Sequence, residues 1–235
     1  MSWRKLETIR TAVNRLTLNS RGRAVRLSSP IGTYSVYDPR RLFTGYSWDC
    51  LSLAGKMLAS PPRQILLLGM GGGTVARQCR ALHPDARIDA VEIDREVIRV
   101  ARQYFHLPRT QVRVVRADSV EFVSRAAAGT YDLILDDVWA DDATFIKPLF
   151  AVTGYAARMR VLLRPRGAYA VNLWFKRGRG SEAQRAARLL RSQFNEVVSL
   201  RPPNGPTGVV VALAGRLGRW RSPRGMSIRA RRLFR

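Results

Sequence analysis

Four aspartates lie close together in the stretch YDLILDDVWADD, in a chain that is otherwise strongly basic. Asp136, Asp137, Asp141 and Asp142 fall within seven positions, whereas the whole chain has 17 acidic residues against 41 lysines and arginines and a net charge of +24. Clustered carboxylates attract a cation, and a cation site inside a basic protein needs local acid. The cluster is therefore a candidate cation site. The alternative is a solvated loop whose aspartates cap a helix.

A glycine-rich stretch, GMGGGT, follows the apolar run QILLL. Gly69, Gly71 and Gly73 allow the backbone to turn tightly and to approach a ligand, and the helix that follows offers its amino-terminal N–H groups. A dinucleotide fingerprint would require a third glycine at Thr74. The G-x-G-x-G spacing instead favours a nucleoside of the S-adenosylmethionine type, although such a turn also occurs as a simple strand-to-helix connection.

Two more carboxylates follow at the predicted ends of the next two strands. Glu92 lies about 20 residues after the glycines, where such folds place a carboxylate that accepts hydrogen bonds from both ribose hydroxyls. Asp118 ends the third strand and could accept a hydrogen bond from an adenine amine. Asp94 and Ser119 have the character of helix caps, and we also include Ser119 in the predicted nucleoside site.

Alternating strand and helix patterns must position these residues. Short apolar runs that end at glycines or acids alternate with helical patterns from Gln64 onwards, which predicts an α/β, Rossmann-like, doubly wound and mostly parallel sheet. The last two strands, EVVSL and GVVVALAG, are joined by a Pro/Gly-rich turn and predict an antiparallel hairpin at the carboxyl-terminal edge.

The two ends of the chain have a different character. Residues 1–50 are predicted to form a small β-rich appendage, residues 51–215 the nucleoside-binding domain, and residues 216–235 a mobile basic tail. The tail contains eight arginines and no acid. It either binds RNA or another polyanion, or it only increases solubility.

The motifs ILLLGMGGGTVARQ, DAVEID, RADSVEFV and YDLILDD resemble, in this order, those of the spermidine synthase family, a branch of the class I S-adenosylmethionine-dependent methyltransferase fold. The resemblance covers roughly residues 34–173. It implies a donor site built from the glycine loop, Glu92 and Asp118, with Asp137 as general base. It also implies decarboxylated S-adenosylmethionine as co-substrate, an amine acceptor, and a homodimer as the usual assembly.

Some positions depart from that family. Its glycine-loop aspartate, which holds the ammonium end of the decarboxylated donor, is replaced by Gly72. The Tyr-His-Glu segment keeps only Tyr46, and the second aspartate after the fourth strand is Ala140. Asp49, Asp141 and Asp142 are candidates to replace the missing acids, and we assign Tyr46, Asp136, Trp139 and Asp141 to the acceptor site.

Three functions therefore compete: aminopropyl transfer to an amine, methyl transfer from intact S-adenosylmethionine, and a noncatalytic or RNA-associated module. No uninterrupted apolar run is long enough for a membrane span and no signal peptide is evident, so we expect a cytoplasmic protein. Cys50 and Cys79 have neither metal-ligand spacing nor histidine partners and are expected in the core, so no metal site is predicted.

Overall fold

The computed structural model describes residues 2–13, 15–30, 32–107, 112–139, 146–175, 181–218 and 228–234. They form two sheets, one of four strands and one of eight. No helix in these ranges is both long enough and apolar enough to cross a membrane.

The large sheet follows the predicted α/β pattern. From one edge to the other its strands are β12 (Arg229–Phe234), β10 (Glu196–Arg201), β11 (Thr207–Leu213), β9 (Leu163–Trp174), β8 (Tyr131–Asp136), β5 (Gln64–Leu68), β6 (Arg87–Glu92) and β7 (Arg113–Arg116). The five strands from β9 to β7 are parallel, and the other three add to β9 in antiparallel pairing. The Rossmann-like prediction is confirmed.

Helices cover both faces of this sheet, which explains why its central strands are continuous apolar runs. The helices are α1 (Ser47–Leu53), α2 (Thr74–Leu82), α3 (Arg95–Tyr104), α4 (Ser119–Arg125), α5 (Pro148–Ala151), α6 (Tyr155–Leu162) and α7 (Glu182–Leu190), with a 3-10 turn at Ala54–Met57. Strand β5 is buried at every position after Gln64, and its side chains divide between two apolar cores on opposite faces.

The predicted amino-terminal β appendage is a four-stranded antiparallel sheet. Its strands, in order, are β1 (Arg4–Arg10), β2 (Arg15–Arg21), β3 (Ala24–Ser29) and β4 (Gly32–Tyr37). Leu16, Leu18 and Leu27 are fully buried and form a core with Val97 and Val100 of α3. The appendage is therefore packed onto the large domain, next to the helix that follows β6.

The carboxyl-terminal edge differs from the prediction. The β10–β11 hairpin forms, but it is not the edge, because β12 pairs with β10 as the outermost strand. Residues 229–234 were expected within a mobile tail; instead Ile228 is buried in one core and Leu233 packs against the other. The arginines at exposed positions of this edge strand made the segment resemble a charged tail in the sequence. Trp220 and residues 219–227 lie outside the described ranges.

The packing of this last strand is testable. Ile228→Ala should lower the thermal midpoint by roughly 4–20 °C, because removing a buried isoleucine side chain costs about 2–5 kcal/mol and each kcal/mol corresponds to about 2–4 °C in a chain of this size. Arg231→Ala, on an exposed position of the same strand, should change the midpoint by less than about 2 °C. Equal midpoints for the wild type and Ile228→Ala in a thermal melt would show that the segment is not packed.

Candidate functional site

A cavity of about 400 Å³ lies at the carboxyl ends of β5, β6, β7, β8 and β9. This is the edge at which parallel α/β sheets bind ligands. Most of the predicted site residues line it: Tyr46, Gly69, Gly71, Glu92, Asp118, Ser119, Asp137 and Trp139. The carboxylates Glu92, Asp118 and Asp137 are the acids that the described residues contribute to its wall.

The glycine loop holds together the ends of β5, β6 and β8. Gly69 and Met70 donate their N–H groups to the carbonyl of Val91, at 3.0 and 3.1 Å. Gly69 has φ +75°, and a Cβ at this position would lie 2.5 Å from the carbonyl oxygen of Asp137. Only glycine allows the glycine loop and the backbone of Asp137 to approach this closely.

Gly73 has a different role from the one predicted. It lies at the amino-terminal cap of α2 with φ +86° and does not line the cavity. Its left-handed conformation starts the helix, and Leu107 would lie 2.9 Å from an added Cβ. Gly73 is therefore a structural residue that shapes the loop, and Gly69 and Gly71 form the ligand-facing part.

Glu92 is almost completely buried, and each of its carboxylate oxygens accepts one backbone hydrogen bond. Oε2 accepts from the N–H of Gly71 at 2.9 Å, and Oε1 accepts from Asp94 at 3.1 Å. Burial raises the pKa of Glu92 above its usual value, while these N–H donors oppose the rise. A carboxylate has about four acceptor positions, so each oxygen can accept one more hydrogen bond. Two adjacent ribose hydroxyls match this arrangement.

Asp118 lies at the start of α4, next to the cavity. Its Oδ1 accepts from the N–H groups of Val120 at 2.8 Å and Glu121 at 2.9 Å, so Asp118 is the helix cap. The described residues place no hydrogen bond on Oδ2, which can accept from a ligand. Ser119 was expected to cap this helix but is its first residue; it is buried and lines the cavity. The predicted cap at Asp94 does form.

Asp137 lies directly after β8 and faces the cavity. Its Oδ1 accepts from the Asn172 side-chain amide at 2.7 Å and from the Trp139 indole at 3.1 Å. Burial raises the pKa of Asp137 to about 6, against the lowering effects of the Lys147 charge and of the two donors. Because the described residues leave Oδ2 without a hydrogen bond, this carboxylate can take a proton from a ligand near neutral pH.

Asp136 was predicted in the acceptor site, but it lies on the opposite side of the strand. It is fully buried and does not line the cavity. Its Oδ2 accepts from the hydroxyls of Tyr169 at 2.7 Å and Tyr155 at 3.4 Å. Consecutive residues of a strand point to opposite faces, so adjacent aspartates cannot both face one cavity. The negative charge of Asp136 and burial together raise the pKa values of both tyrosines.

Lys147 is a buried cation that lies beside Asp137. The sequence analysis did not identify this lysine. Its Nζ donates to the carbonyl of Val138 at 2.6 Å and lies 4.1 Å from the centre of the Trp139 ring. Burial lowers the pKa of Lys147, whereas the charges of Asp136 and Asp137 raise it. A positive charge here favours the ionised form of Asp137 and holds the Trp139 indole in place.

Aromatic side chains line the part of the cavity around Asp137. Trp139 meets Trp174 edge to face at 5.9 Å, and Tyr46 meets Trp48 at 5.8 Å. All four line the cavity. Faces of electron-rich rings attract cations, so this half is suited to an alkylammonium group. Trp174 is the last residue of β9, a strand without any motif, and no sequence signal assigned it to the site.

Asn172 supplies a polar atom that has no partner. Its side-chain nitrogen donates to Asp137, so the oxygen must point the other way. This Oδ1 is buried, and the described residues provide no donor for it. Asn172 lines the cavity beside Asp137, and its side-chain nitrogen fixes the orientation of that carboxylate.

The amino-terminal sheet closes the remaining side of the cavity. Ser35 of β4 accepts a hydrogen bond from the N–H of Gly72 at 2.7 Å, and the Tyr34 hydroxyl donates to the carbonyl of Trp139 at 2.9 Å. A Cβ on Gly72 would lie 2.8 Å from the Cβ of Ser35 and 2.9 Å from the ring of Phe105. A carboxylate therefore cannot be accommodated at this position without rearranging the loop.

Asp49, one of the proposed replacement acids, does not line the cavity. Asp49 is buried, and its carboxylate accepts hydrogen bonds from Thr44, Gly45 and Gln78. Asp141 and Asp142 lie outside the described residues. Within the described ranges, no group of three or more His, Cys, Asp or Glu residues could hold a metal ion.

Comparison with known proteins gives one family. A model of the spermine/spermidine synthase domain matches residues 49–204, which is more than half of the chain. A polyamine aminopropyltransferase of Vibrio vulnificus is 32% identical over 112 residues, which cover 46% of this chain and 38% of that protein. The human eEF1A lysine and N-terminal methyltransferase is 30% identical over 128 residues, which cover 50% of this chain and 18% of that protein.

The chain thus spans much less than two thirds of the length of these curated relatives. Among solved structures, a probable spermidine synthase from Corynebacterium glutamicum superposes with a TM-score of 0.74 at 20% identity, covering 88% of this chain and 79% of that one. This likeness shows the fold, including the combination of a small β sheet with the α/β domain.

The geometry of Glu92 gives a direct test of the nucleoside half. Glu92→Ala should weaken the affinity for S-adenosylmethionine-type nucleosides by about 1.5–3 kcal/mol, the usual range for hydrogen bonds to a charged group. Isothermal titration calorimetry measures this change, and Glu121→Ala, which removes an exposed acid from α4, serves as the control. Unchanged affinity in a folded Glu92→Ala protein would exclude Glu92 from the ligand site.

Proposed function

The chain belongs to the spermine/spermidine synthase domain family, and on that premise we propose that it is a transferase that moves an aminopropyl group from decarboxylated S-adenosylmethionine to an amine. The amine class includes polyamines and their precursors. The reaction needs a site for the donor nucleoside, a site for a cationic acceptor, and a base between the two. Each of these has a candidate in the cavity.

The observation that carries this proposal is the environment of Asp137. Its carboxylate has a pKa of about 6, one oxygen without a hydrogen bond among the described residues, and a second oxygen held by the Asn172 side-chain amide. An ordinary surface carboxylate would be a weaker base, because its pKa is near 4. A base whose pKa is close to the working pH combines a large ionised fraction with useful basicity.

The proposed step is a direct displacement. The acceptor nitrogen uses its lone pair to form a bond with the aminopropyl carbon next to the sulfonium, and the bond from that carbon to sulfur breaks. The bonding electron pair goes to sulfur, which becomes a neutral thioether. The Oδ2 atom of Asp137 takes the proton that the nitrogen loses, while the side-chain nitrogen of Asn172 donates to Oδ1 and holds the carboxylate in position.

The donor would be held at the other end of the cavity. Glu92 would accept from the ribose hydroxyls, Asp118 Oδ2 from the exocyclic adenine amine, and the backbone at Gly69 and Gly71 would lie against the nucleoside. Trp139, Trp174, Tyr46 and Trp48 would surround the acceptor chain, where ring faces stabilise its positive charge before the proton is lost.

Methyl transfer from intact S-adenosylmethionine is the second candidate, and Gly72 favours it. The family's donor-binding aspartate is absent, and Ser35 and Phe105 occupy the space that a side chain at this position would need. Without that carboxylate, the cavity lacks the interaction by which the family's aspartate holds the ammonium end of the decarboxylated donor. A methyltransferase among the relatives is consistent with this alternative.

Three earlier expectations remain predictions. Homodimer formation, RNA binding by the basic carboxyl-terminal segment, and a noncatalytic nucleoside-binding role are each compatible with the chain. The location of β12 restricts the second of these, because residues 229–234 are part of the sheet and only their exposed side chains are available.

The base assignment predicts that donor binding and turnover separate. Asp137→Asn should reduce transfer to an amine at least about a hundredfold, because a positioned general base contributes about 10²–10⁴ in rate. Donor affinity should change by less than about 1 kcal/mol, since Glu92 and Asp118 remain. In the wild type, the rate with bound substrates should fall as the pH decreases through about 6, because protonated Asp137 cannot accept a proton.

Asp85→Asn, which removes an exposed carboxylate outside the cavity, is the matched control and should keep the wild-type rate and pH profile. The assay requires a working donor and acceptor pair, found by screening both nucleosides against diamines, polyamines and lysine-containing peptides. Wild-type turnover by Asp137→Asn would contradict the assignment and leave a transfer that needs no base.

The two donors can be separated by calorimetry on the unmodified protein. Aminopropyl transfer predicts that decarboxylated S-adenosylmethionine binds more tightly than the intact form, and methyl transfer predicts the reverse. Mass spectrometry of the acceptor after turnover then identifies the added group. Tighter binding of the intact form together with a methylated product would replace the first proposal with the second.

A further inference from the structure

A second cavity, of about 320 Å³, lies between the amino-terminal sheet and the segment that connects it to α1, and it has a strongly basic wall. Four arginines line it: Arg21, Arg26, Arg41 and Arg77. Asp38 is the acidic residue that the described part of the chain contributes to this wall. Asp38 is already engaged with Arg40, through its backbone N–H at 3.0 Å and its guanidinium at 3.5 Å.

Two of these guanidiniums converge on one indole ring. Arg26 lies 4.4 Å and Arg21 4.9 Å from the centre of the Trp3 ring. The register of the β2–β3 hairpin explains this, because Arg21 pairs with Ala24, and Arg26 follows two residues later on the same face of the sheet. Two positive charges on one ring repel each other unless an opposite charge compensates.

Asp38 interacts electrostatically with Arg41 and Arg77, and the described residues supply no such partner to Arg21 and Arg26. No described carboxylate forms an ion pair with Arg21, Arg26 or Arg41. The Nε atom of Arg26 is buried and has no hydrogen-bond partner among them. Arg26 therefore has no acceptor for this donor and no ion pair among the described residues. An anion in the cavity would supply the negative charge that offsets the repulsion between the arginines.

Arg77 has a different function in the same wall. Its guanidinium donates to the carbonyls of Arg41 at 3.1 Å and Leu42 at 3.5 Å and lies 5.1 Å from the Tyr37 ring, so it fixes the connecting segment. The side chains that remain available for a ligand are those of Arg21, Arg26 and Arg41. Planar guanidiniums bind phosphate oxygens in pairs, which makes phosphate the anion that best fits several arginines together.

We propose that this cavity binds the phosphate group of a small phosphate ester. The volume exceeds that of a phosphate ion, and Trp3 and Phe43 provide apolar surface for the organic part of the molecule. The cavity shares Thr33 and Tyr46 with the main cavity but none of its three carboxylates. A bound phosphate ester would therefore lie beside the aromatic, acceptor half and leave the nucleoside half free. This proposal does not depend on the transfer reaction.

The test is calorimetry on the full-length protein with ribose 5-phosphate, ribose and inorganic pyrophosphate at about 150 mM salt, where distant surface charges are largely screened. Both phosphate compounds should bind and ribose should not. Arg26→Gln and Arg21→Gln should each weaken binding about tenfold or more, as expected for loss of a hydrogen bond to a charged group. Arg26→Lys, which keeps the charge but loses the planar fork, should recover only part of the affinity.

Arg15→Gln is the matched control, because it removes an exposed arginine from the far end of the same strand as Arg21. It should change the affinity less than twofold. Thermal melts establish that each variant is folded. If Arg26→Gln does not fold, the affinity of Arg21→Gln, a variant at an exposed position, tests the proposal. S-adenosylmethionine affinity should be unchanged in both variants. Failure of the phosphate compounds to bind, no effect of the folded arginine variants, or an equal effect of Arg15→Gln would each overturn the proposal.

Discussion

The close contact between Gly69 and the end of β8 is the constraint on which the site depends. The N–H of Asp137 donates to the carbonyl of Leu68 at 2.8 Å, and the absence of a side chain at Gly69 lets the Asp137 carbonyl come to the distance that a Cβ would occupy. The loop proposed to contact the nucleoside and the residue proposed to act on the acceptor are therefore fixed to each other. A reaction between two bound molecules needs this, because small errors in position reduce the rate strongly.

Three carboxylates surround the cavity, and their different partners give them different roles. Glu92 accepts two backbone N–H groups, which hold its charge in a buried position for hydrogen bonding to hydroxyls. Asp118 caps a helix with one oxygen and leaves the other available. Asp137 accepts only side-chain donors and lies beside Lys147, and burial keeps its pKa near neutrality. Hydrogen-bond partners, rather than residue type, distinguish the two acids proposed to bind the nucleoside from the proposed base.

The amino-terminal sheet is part of the site and not merely attached to it. Thr74, at the start of α2, exchanges hydrogen bonds with the backbone of Val36, and Ser35 holds Gly72. Tyr34 contacts the backbone of Trp139 across the cavity. The sheet thus fixes both the glycine loop and the side of the cavity that Trp139 lines. It also contributes Arg21 and Arg26 to the basic cavity, so both ligand sites proposed for this protein have the sheet in common.

The sequence by itself determined the order of strands and helices, the glycine loop, and the carboxylates Glu92, Asp118 and Asp137 at successive strand ends. Each of these follows from local rules: apolar runs form buried strands, glycine allows positive φ, and parallel strands all end at one edge. The order of the four motifs along the chain supported the assignment of these residues to one site.

Only the tertiary structure decided which of the two adjacent aspartates faces the cavity. Strand alternation separates Asp136 from Asp137, but the direction depends on which face Tyr155 and Tyr169 cover. The tertiary structure also brings Asn172, Trp174 and Lys147 close to Asp137 from distant positions in the chain. It places residues 229–234 in the large sheet. These contacts join segments far apart in the chain, and their energy comes from packing and burial, which no local pattern of residues records.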